Sequence, residues 1–192
     1  VQGLAAAQTS GGGSTPAEII DAGTLPQFVQ GVADAAVGLT LGPISGTDGY
    51  SGEAATIDPA DGNKRVWMVW AHWCPFCQEE LPVMADWHGE NAAGFEGFEL
   101  VSVTTAMDET ASNPLLPYLD SNQVPFPVLF DGDGRLARQL GVSAFPFWVF
   151  VAPDGTVVGR AAGGIDPANL ASVFEQLNEL GIAQTGALAP SP

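Results

Sequence analysis

Cysteine and histidine are scarce in this 192-residue chain, with two of each. Two cysteines are too few for the multi-bridge framework that staples small secreted scaffolds. They also leave no four-ligand zinc site, because His72 and His88 do not form a second ligand pair at finger spacing. Cations are scarce as well: five Lys and Arg stand against 22 Asp and Glu, a formal charge of −17. A surface of that sign repels phosphate backbones and anionic membranes, so no nucleic acid is expected as a partner, and the charge serves as a solubilising shell. No apolar run reaches the roughly 18 residues that span a bilayer. No internal repeat is present.

What is there suits one globular domain. Hydrophobic residues make up 46% of the chain, enough to build a core at this length. The two ends read differently. Residues 1–16, rich in Gly, Ala and Ser, have the composition of a flexible linker, and residues 1–37 as a whole read as a linker with room for a short helix. The chain opens at Val1 and not at Met, so the linker is expected to be a tether whose leader or membrane anchor is missing. Residues 38–180 form the expected domain, and residues 181–192 a frayed tail.

Along that domain the pattern alternates. Residues 65–71 are a short continuous apolar run, the mark of a central strand buried on both faces. A helix follows, with Pro75 at its first position, apolar residues recurring at Cys77, Leu81, Met84 and Ala85, and Pro82 inside it as an expected kink. Residues 98–103 predict a strand, 115–121 a helix, 128–130 a short strand, and 135–140 a short helix capped by the turn at Asp131–Gly134. Residues 145–151 and 156–160 predict a hairpin turning at Asp154-Gly155. Asp166 and Pro167 open a last helix whose apolar face is Leu170, Val173, Phe174 and Leu177, with Gly181 as its stop. Ahead of the central strand, residues 38–58 predict a small β element with turns at Pro43 and at 46–49. Strand–helix crossovers followed by an antiparallel hairpin give an α/β fold with a mixed central sheet and flanking helices.

The chemistry sits at Cys74 and Cys77. A Cys-x-x-Cys that follows a buried strand and opens a helix is a specific redox signal. At a helix start four backbone N–H groups lack partners and the helix dipole favours negative charge, so a Cys74 thiolate is stabilised there. The thiolate is the nucleophile. Cys77, one turn in, can reach Cys74 and is expected to be more buried. His72 is expected to be a half-exposed loop histidine. Trp73 is expected to be a surface aromatic that contacts substrate beside the disulfide, together with Pro75 and Phe76.

The segment Trp70-Ala71-His72-Trp73-Cys74-Pro75-Phe76-Cys77-Gln78-Glu79-Glu80-Leu81-Pro82 resembles thioredoxin-superfamily active sites. The spacing of Glu80 and Pro82 is similar to the TlpA-like and DsbE-like branch of extracytoplasmic thiol–disulfide oxidoreductases. Residues 126–131, 140–142 and Phe145-Pro146 fall in that family's order. The resemblance covers about residues 38–180. It implies a thioredoxin-like fold, an oxidising compartment outside the cytoplasm, often a membrane tether, protein thiols or disulfides as substrates, and a redox recycling partner. No cofactor and no metal is implied, and a monomer is expected. Pro146 matches the family's cis-proline, which would set the Phe145 backbone against the disulfide for an extended substrate. Phe145 is larger than the residues often found there and would narrow the groove. The buried acid that thioredoxins carry six residues before the first cysteine is Met68 here, and Glu80 is implied as the substitute proton acceptor for Cys77.

The direction of exchange stays open. A dedicated reductant fits the family, whereas Pro-Phe between the cysteines resembles the Pro-first dipeptides of glutaredoxin and DsbA. Those couples lie at about −200 and −120 mV, against about −270 mV for thioredoxin. A Cu(I)-binding chaperone on the same fold is the alternative, since two cysteines can hold Cu(I). It usually needs a wider cysteine spacing and a downstream histidine, and no histidine follows His88. A peroxidase would need a threonine three residues before its reactive cysteine, where this chain has Ala71.

Overall fold

The computed structural model describes residues 18–19, 24–90, 98–105, 115–170, 172–173, 175–176 and 179. The expected linker start at 1–16, Phe174, Leu177, Gly181 and the tail lie outside them.

The apolar run becomes the centre of the sheet. In chain order the elements are strands β1 (Glu18–Ile19), β2 (Ile44–Asp48), β3 (Ala54–Ile57) and β4 (Lys64–Trp70); helix α1 (Pro75–Glu90); β5 (Phe98–Thr105); α2 (Leu115–Asn122); β6 (Val128–Asp131); α3 (Arg135–Gln139); and the hairpin β7 (Phe147–Val151) and β8 (Val157–Ala162). The sheet runs β1-β2-β6-β5-β4-β7-β8, with β3 paired to β2. β4 is parallel to β5 and antiparallel to β7, so the sheet is mixed. Met68 lies mid-strand, opposite Ser102 on one side and Trp148 on the other.

β4 is apolar throughout because both of its faces are covered. Val66, Met68 and Trp70 pack with Cys77, Leu81 and Met84 of α1 and with Leu115 and Leu119 of α2. Trp67 and Val69 pack with Leu136, Ala137 and Leu140 at α3 and with Leu25, Ala36 and Leu41 from the segment ahead of β2. That segment is pinned by a buried cation. Arg160 on β8 is ion-paired to Asp34 at 2.6 Å and donates to the carbonyls of Pro26 and Leu140 at 2.8 Å. Arg65 on β4 is tied likewise, to Asp61, Glu99 and the carbonyl of Asp58.

The expected turns and caps are present where side chains supply the missing backbone partners. Asp154 accepts from the Thr156 N–H in the β7–β8 turn, and Gly155 takes φ +83° against the carbonyl of Leu41, a conformation that leaves no room for a side chain. Asp131 is fully buried and accepts from the N–H groups of Leu136 and Ala137, so it caps α3. Asp166 accepts from the Ala168 N–H and opens a 3-10 turn at Pro167–Asn169, after which the described residues to 179 are helical.

Three expectations are corrected. The turn expected at 46–49 falls later, because Gly46 pairs with Ala55 inside the β2–β3 ladder and the chain reverses at residues 49–51. The strand expected from Phe145 begins at Phe147, because the cis bond at Phe145–Pro146 bends the chain ahead of the ladder. α1 runs as one helix to Glu90 with Pro82 inside it, as the sequence predicts. His72 is buried and not half-exposed, at 1% exposure, and the connection that carries it is tied to α1 by Gln78, whose Nε2 donates to the His72 carbonyl at 2.9 Å.

Candidate active site

β4 delivers the chain to the edge of the sheet, and α1 starts there. Cys74 is the residue before the first helical position: its N–H donates to the carbonyl of Ala71, and its carbonyl accepts from the Gln78 N–H, both at 3.0 Å. Pro75 and Phe76 are the first two helical residues and both are exposed, Phe76 at 68%. The two cysteines differ in depth. Cys74 is 6% exposed and Cys77 is fully buried in the core that α1 makes with β4. Both are free thiols. Burial pushes the Cys77 thiol up to about 12, and the neighbouring Cys74 and Glu80 push in the same direction.

Trp73, 40% exposed, stands at the rim and meets Phe145 edge to face, with ring centroids 6.4 Å apart. Pro146 is buried in a cis peptide bond, and its carbonyl accepts from the Gly163 N–H at 2.9 Å. Trp73 and Phe145 therefore meet at the surface beside the start of α1, where Phe76 is also exposed. Phe145 also lines a cleft of about 340 Å³ with Ala137, Val142, Asp133 and Arg138.

Glu80 lies on the same helix one turn beyond Cys77. It is half-buried, while Glu79 is exposed. Its Oε1 accepts from the Ile165 N–H at 2.7 Å. Burial raises the Glu80 carboxyl above its usual value, the Ile165 hydrogen bond opposes that, and the charge of Asp166 adds to it. Two residues here escape reading from sequence. Gly164 leaves the space Glu80 occupies, since a Cβ at that position would lie 2.7 Å from Oε2. Tyr118 of α2 enters the same core as Cys77, against the Trp70 ring at 6.0 Å. The Gly163-Gly164 pair was the only sequence trace of the first, and the helical spacing of Tyr118 after Leu115 the only trace of the second. No group of three or more His, Cys, Asp and Glu able to hold a metal occurs among the described residues.

A mixed sheet with a Cys-x-x-Cys at the start of the helix after its central strand defines the class, a thioredoxin-like oxidoreductase. The AhpC/TSA family profile matches residues 34–160, and the chain belongs to that family. It is similar to the sporulation thiol-disulfide oxidoreductase A of Bacillus subtilis, at 26% identity over 125 residues, 65% of this chain and 74% of that one. It is also similar to the thiol:disulfide interchange protein DsbE of Escherichia coli K12, at 31% identity over 100 residues, 52% of this chain and 49% of the relative. The match to the thiol-disulfide oxidoreductase ResA of B. subtilis is of the same kind, 30% identity over 94 residues and 50% of its length. The chain thus spans about half the length of the last two. Among solved structures, a secreted Mycobacterium tuberculosis disulfide oxidoreductase homologous to E. coli DsbE superposes with a TM-score of 0.54 at 25% identity, covering 69% of this chain and 94% of that one. A secreted thiol-disulfide isomerase from Corynebacterium glutamicum shares the fold at a TM-score of 0.63 and 16% identity, covering 82% of this chain and 99% of that one.

Proposed function

We propose that the chain exchanges disulfides with protein thiols outside the cytoplasm, through a mixed disulfide at Cys74. The observation that carries this reading is the asymmetry of the pair: Cys74 opens α1 near the surface, while Cys77 is fully buried with its thiol pushed up to about 12. A protonated inner thiol waits while the outer one reacts. In the reducing direction, the Cys74 thiolate attacks one sulfur of a substrate disulfide and expels the other as a thiolate. Cys77 then gives its proton to Glu80 and attacks Cys74 Sγ. The Cys74–Cys77 disulfide forms, the remaining substrate sulfur leaves as a thiolate, and two electrons have passed to the substrate. A recycling partner must return those electrons. The oxidising direction is the same sequence reversed.

The exposed rings of Trp73 and Phe76, with Phe145 edge-on to Trp73, offer an apolar rim to the polypeptide around a substrate cysteine. The Phe145 backbone next to Pro146 is the place for that polypeptide to pair in extended form. The similar M. tuberculosis protein is described as secreted, which supports the extracytoplasmic setting.

Single-serine variants test the roles. Cys77→Ser should accumulate a mixed disulfide with a disulfide-bonded substrate such as insulin, the other substrate sulfur leaving as a thiolate, and Cys74→Ser should accumulate none and lose exchange. Equal trapping by the two variants would overturn the assignment.

A further inference from the structure

The loop that carries Phe145 and Pro146 is held by a segment more than 100 residues earlier in the chain. α3 ends at Gln139, and the carbonyls at a helix end need partners from elsewhere. Three successive carbonyls find them here. Gln139 accepts from the Leu25 N–H at 2.8 Å, Leu140 from Arg160 Nη1 at 2.8 Å, and Gly141 from the Phe28 N–H at 2.9 Å. Beyond them Ser143 and Ala144 are exposed, Phe145 is half-buried, and β7 starts at Phe147. There the Phe28 ring stands edge-on to Phe147, with centroids 5.4 Å apart and planes at 74°. Residues 25–28 therefore hold both ends of the loop. Arg160 anchors them: it is ion-paired to Asp34, donates to the Pro26 carbonyl at 2.8 Å, and lies over the Phe28 ring, 5.6 Å from its centre. The fit is close. Gly141 takes φ +71°, and a Cβ there would collide with the Pro26 carbonyl and the Arg160 guanidinium. Residues 1–37 read as linker in the sequence, yet Leu25 and Ala36 are buried in the core. Residues 25–33 also lie ahead of the stretch that the AhpC/TSA profile matches.

We propose that Phe28 is a positioning residue for substrate binding, the strap of residues 25–34 holding the Phe145–Pro146 backbone where a substrate polypeptide pairs with it. This rests on the proposed function, in which that backbone takes the substrate in extended form. The two faces of the sheet divide the work. Leu25, Phe28 and Ala36 pack into the core on the α3 side, whereas both cysteines belong to the core on the α1 side. Phe145 packs against both cores, so it is the point where the strap meets the substrate rim. The strap therefore acts on binding and leaves the sulfur chemistry alone. An edge already ordered costs less to bind than one that must be ordered on contact, and the difference appears as affinity. Without the Phe28 ring the main-chain bonds from residues 25 and 28 remain, but the contact at the β7 end of the loop is lost. Each polypeptide that pairs there must then order the loop as well. A small disulfide has no polypeptide to pair and does not use the edge.

The test compares two substrates on the full reduced chain by stopped flow. A small aromatic disulfide reports attack by Cys74 alone, and insulin at rising concentration reports polypeptide binding as well. Phe28→Ala should react with the small disulfide at the parent's rate. With insulin its limiting rate should also match the parent's, while the half-saturating concentration rises by about two- to tenfold, the worth of one aromatic contact. Phe28→Tyr keeps the ring and should restore the parent's value. Val29→Ala, at an exposed position on the same strap, is the control and should behave as the parent. Amide hydrogen exchange at residues 143–145 should quicken in Phe28→Ala and not in Phe28→Tyr. If Phe28→Ala does not fold, Phe28→Leu, which keeps apolar bulk without the ring, is read by the same comparison. An unchanged half-saturating concentration, or equal slowing with both substrates, would overturn the proposal. Failure of the underlying reading looks different: the parent itself would then not exchange with insulin, or Cys74→Ser would go on exchanging.

Discussion

Replacing Glu80 by Gln separates two effects of opposite sign. The carboxylate charge makes Cys77 harder to ionise, as its place among the causes of the raised thiol shows. If charge were its whole influence, Glu80→Gln would free the Cys77 thiolate and speed resolution. The carboxylate is also a proton acceptor on the same helix face, because residues three apart on a helix are neighbours. A thiol at about 12 is ionised in only about one molecule in 10⁵ at pH 7, so resolution depends on moving that proton during the attack. A positioned base is worth about 10²–10⁴-fold. When the reduced chain reacts with an aromatic disulfide that releases a coloured thiolate, a first phase reports attack by Cys74 and a second reports attack by Cys77 on the mixed disulfide; Glu80→Gln should slow that second phase by about 100-fold or more. Gln keeps an oxygen for the Ile165 N–H, so the loop at 163–166 stays docked. Glu79→Gln, at an exposed position on the same turn, is the matched control and should behave as the parent. An unchanged or faster second phase in Glu80→Gln would refute the base role and leave only the charge.

The pH dependence carries a second check. Glu80 works as a base only when ionised, and burial first, then the charge of Asp166, raises its carboxyl above 4.5 despite the Ile165 hydrogen bond. The parent's second phase should fall as pH drops through that raised value, while Glu80→Gln should show a plain rise with pH toward the Cys77 thiol. Stability moves with it. A carboxyl raised on folding binds its proton more tightly in the folded chain than in the unfolded one. Its contribution to stability is full at low pH and is lost as pH climbs from about 4.5 through the folded value. Glu80→Gln removes that titration, so its urea midpoint should change less across this window than the parent's.

Gly164→Ala would bring a methyl within 2.7 Å of Glu80 Oε2, so it should displace the carboxylate and slow the second phase as Glu80→Gln does while sparing the first. The redox couple of Cys74 and Cys77 should lie above thioredoxin's about −270 mV because of Pro75 and Phe76. A glutathione titration placing it at or below that value would count against the oxidising resemblance. Asp34→Ala should lower the stability of the chain by about 3–5 kcal/mol, since it strands a buried guanidinium; a shift in urea midpoint well below that would show that the Pro26 and Leu140 carbonyls suffice for Arg160.

The sequence made the site's covalent chemistry readable and its supporting contacts unreadable, for a physical reason. Cys74, Cys77 and the apolar strand before them are local: they lie within one strand–helix unit, and periodicity places them. Glu80 was readable as a candidate because it shares the helix with Cys77. What holds Glu80 is distant in sequence: Ile165 and Gly164 come from 84–85 residues later, across the sheet. Tyr118 is hidden in the same way, since α2 follows β5 in the chain and meets α1 only through the fold. The burial of His72 is likewise a tertiary fact, with no periodicity along the chain to report it. Pattern along the chain reports periodicity, and these contacts have none.

Charge shows the same division between composition and placement. A total of −17 is legible at once, but where the five cations go is not. Arg65 and Arg160 are buried and spent on Asp61, Glu99 and Asp34. Lys64 pairs with Glu175 at the surface. Arg135 and Arg138 both lie on α3, and Arg138 lines the cleft beside Phe145 together with Asp133. One cation therefore stands next to the rim that would receive substrate. An acidic protein facing an acidic partner approaches slowly at low salt, and a local cation at the docking edge offsets that repulsion where contact is made.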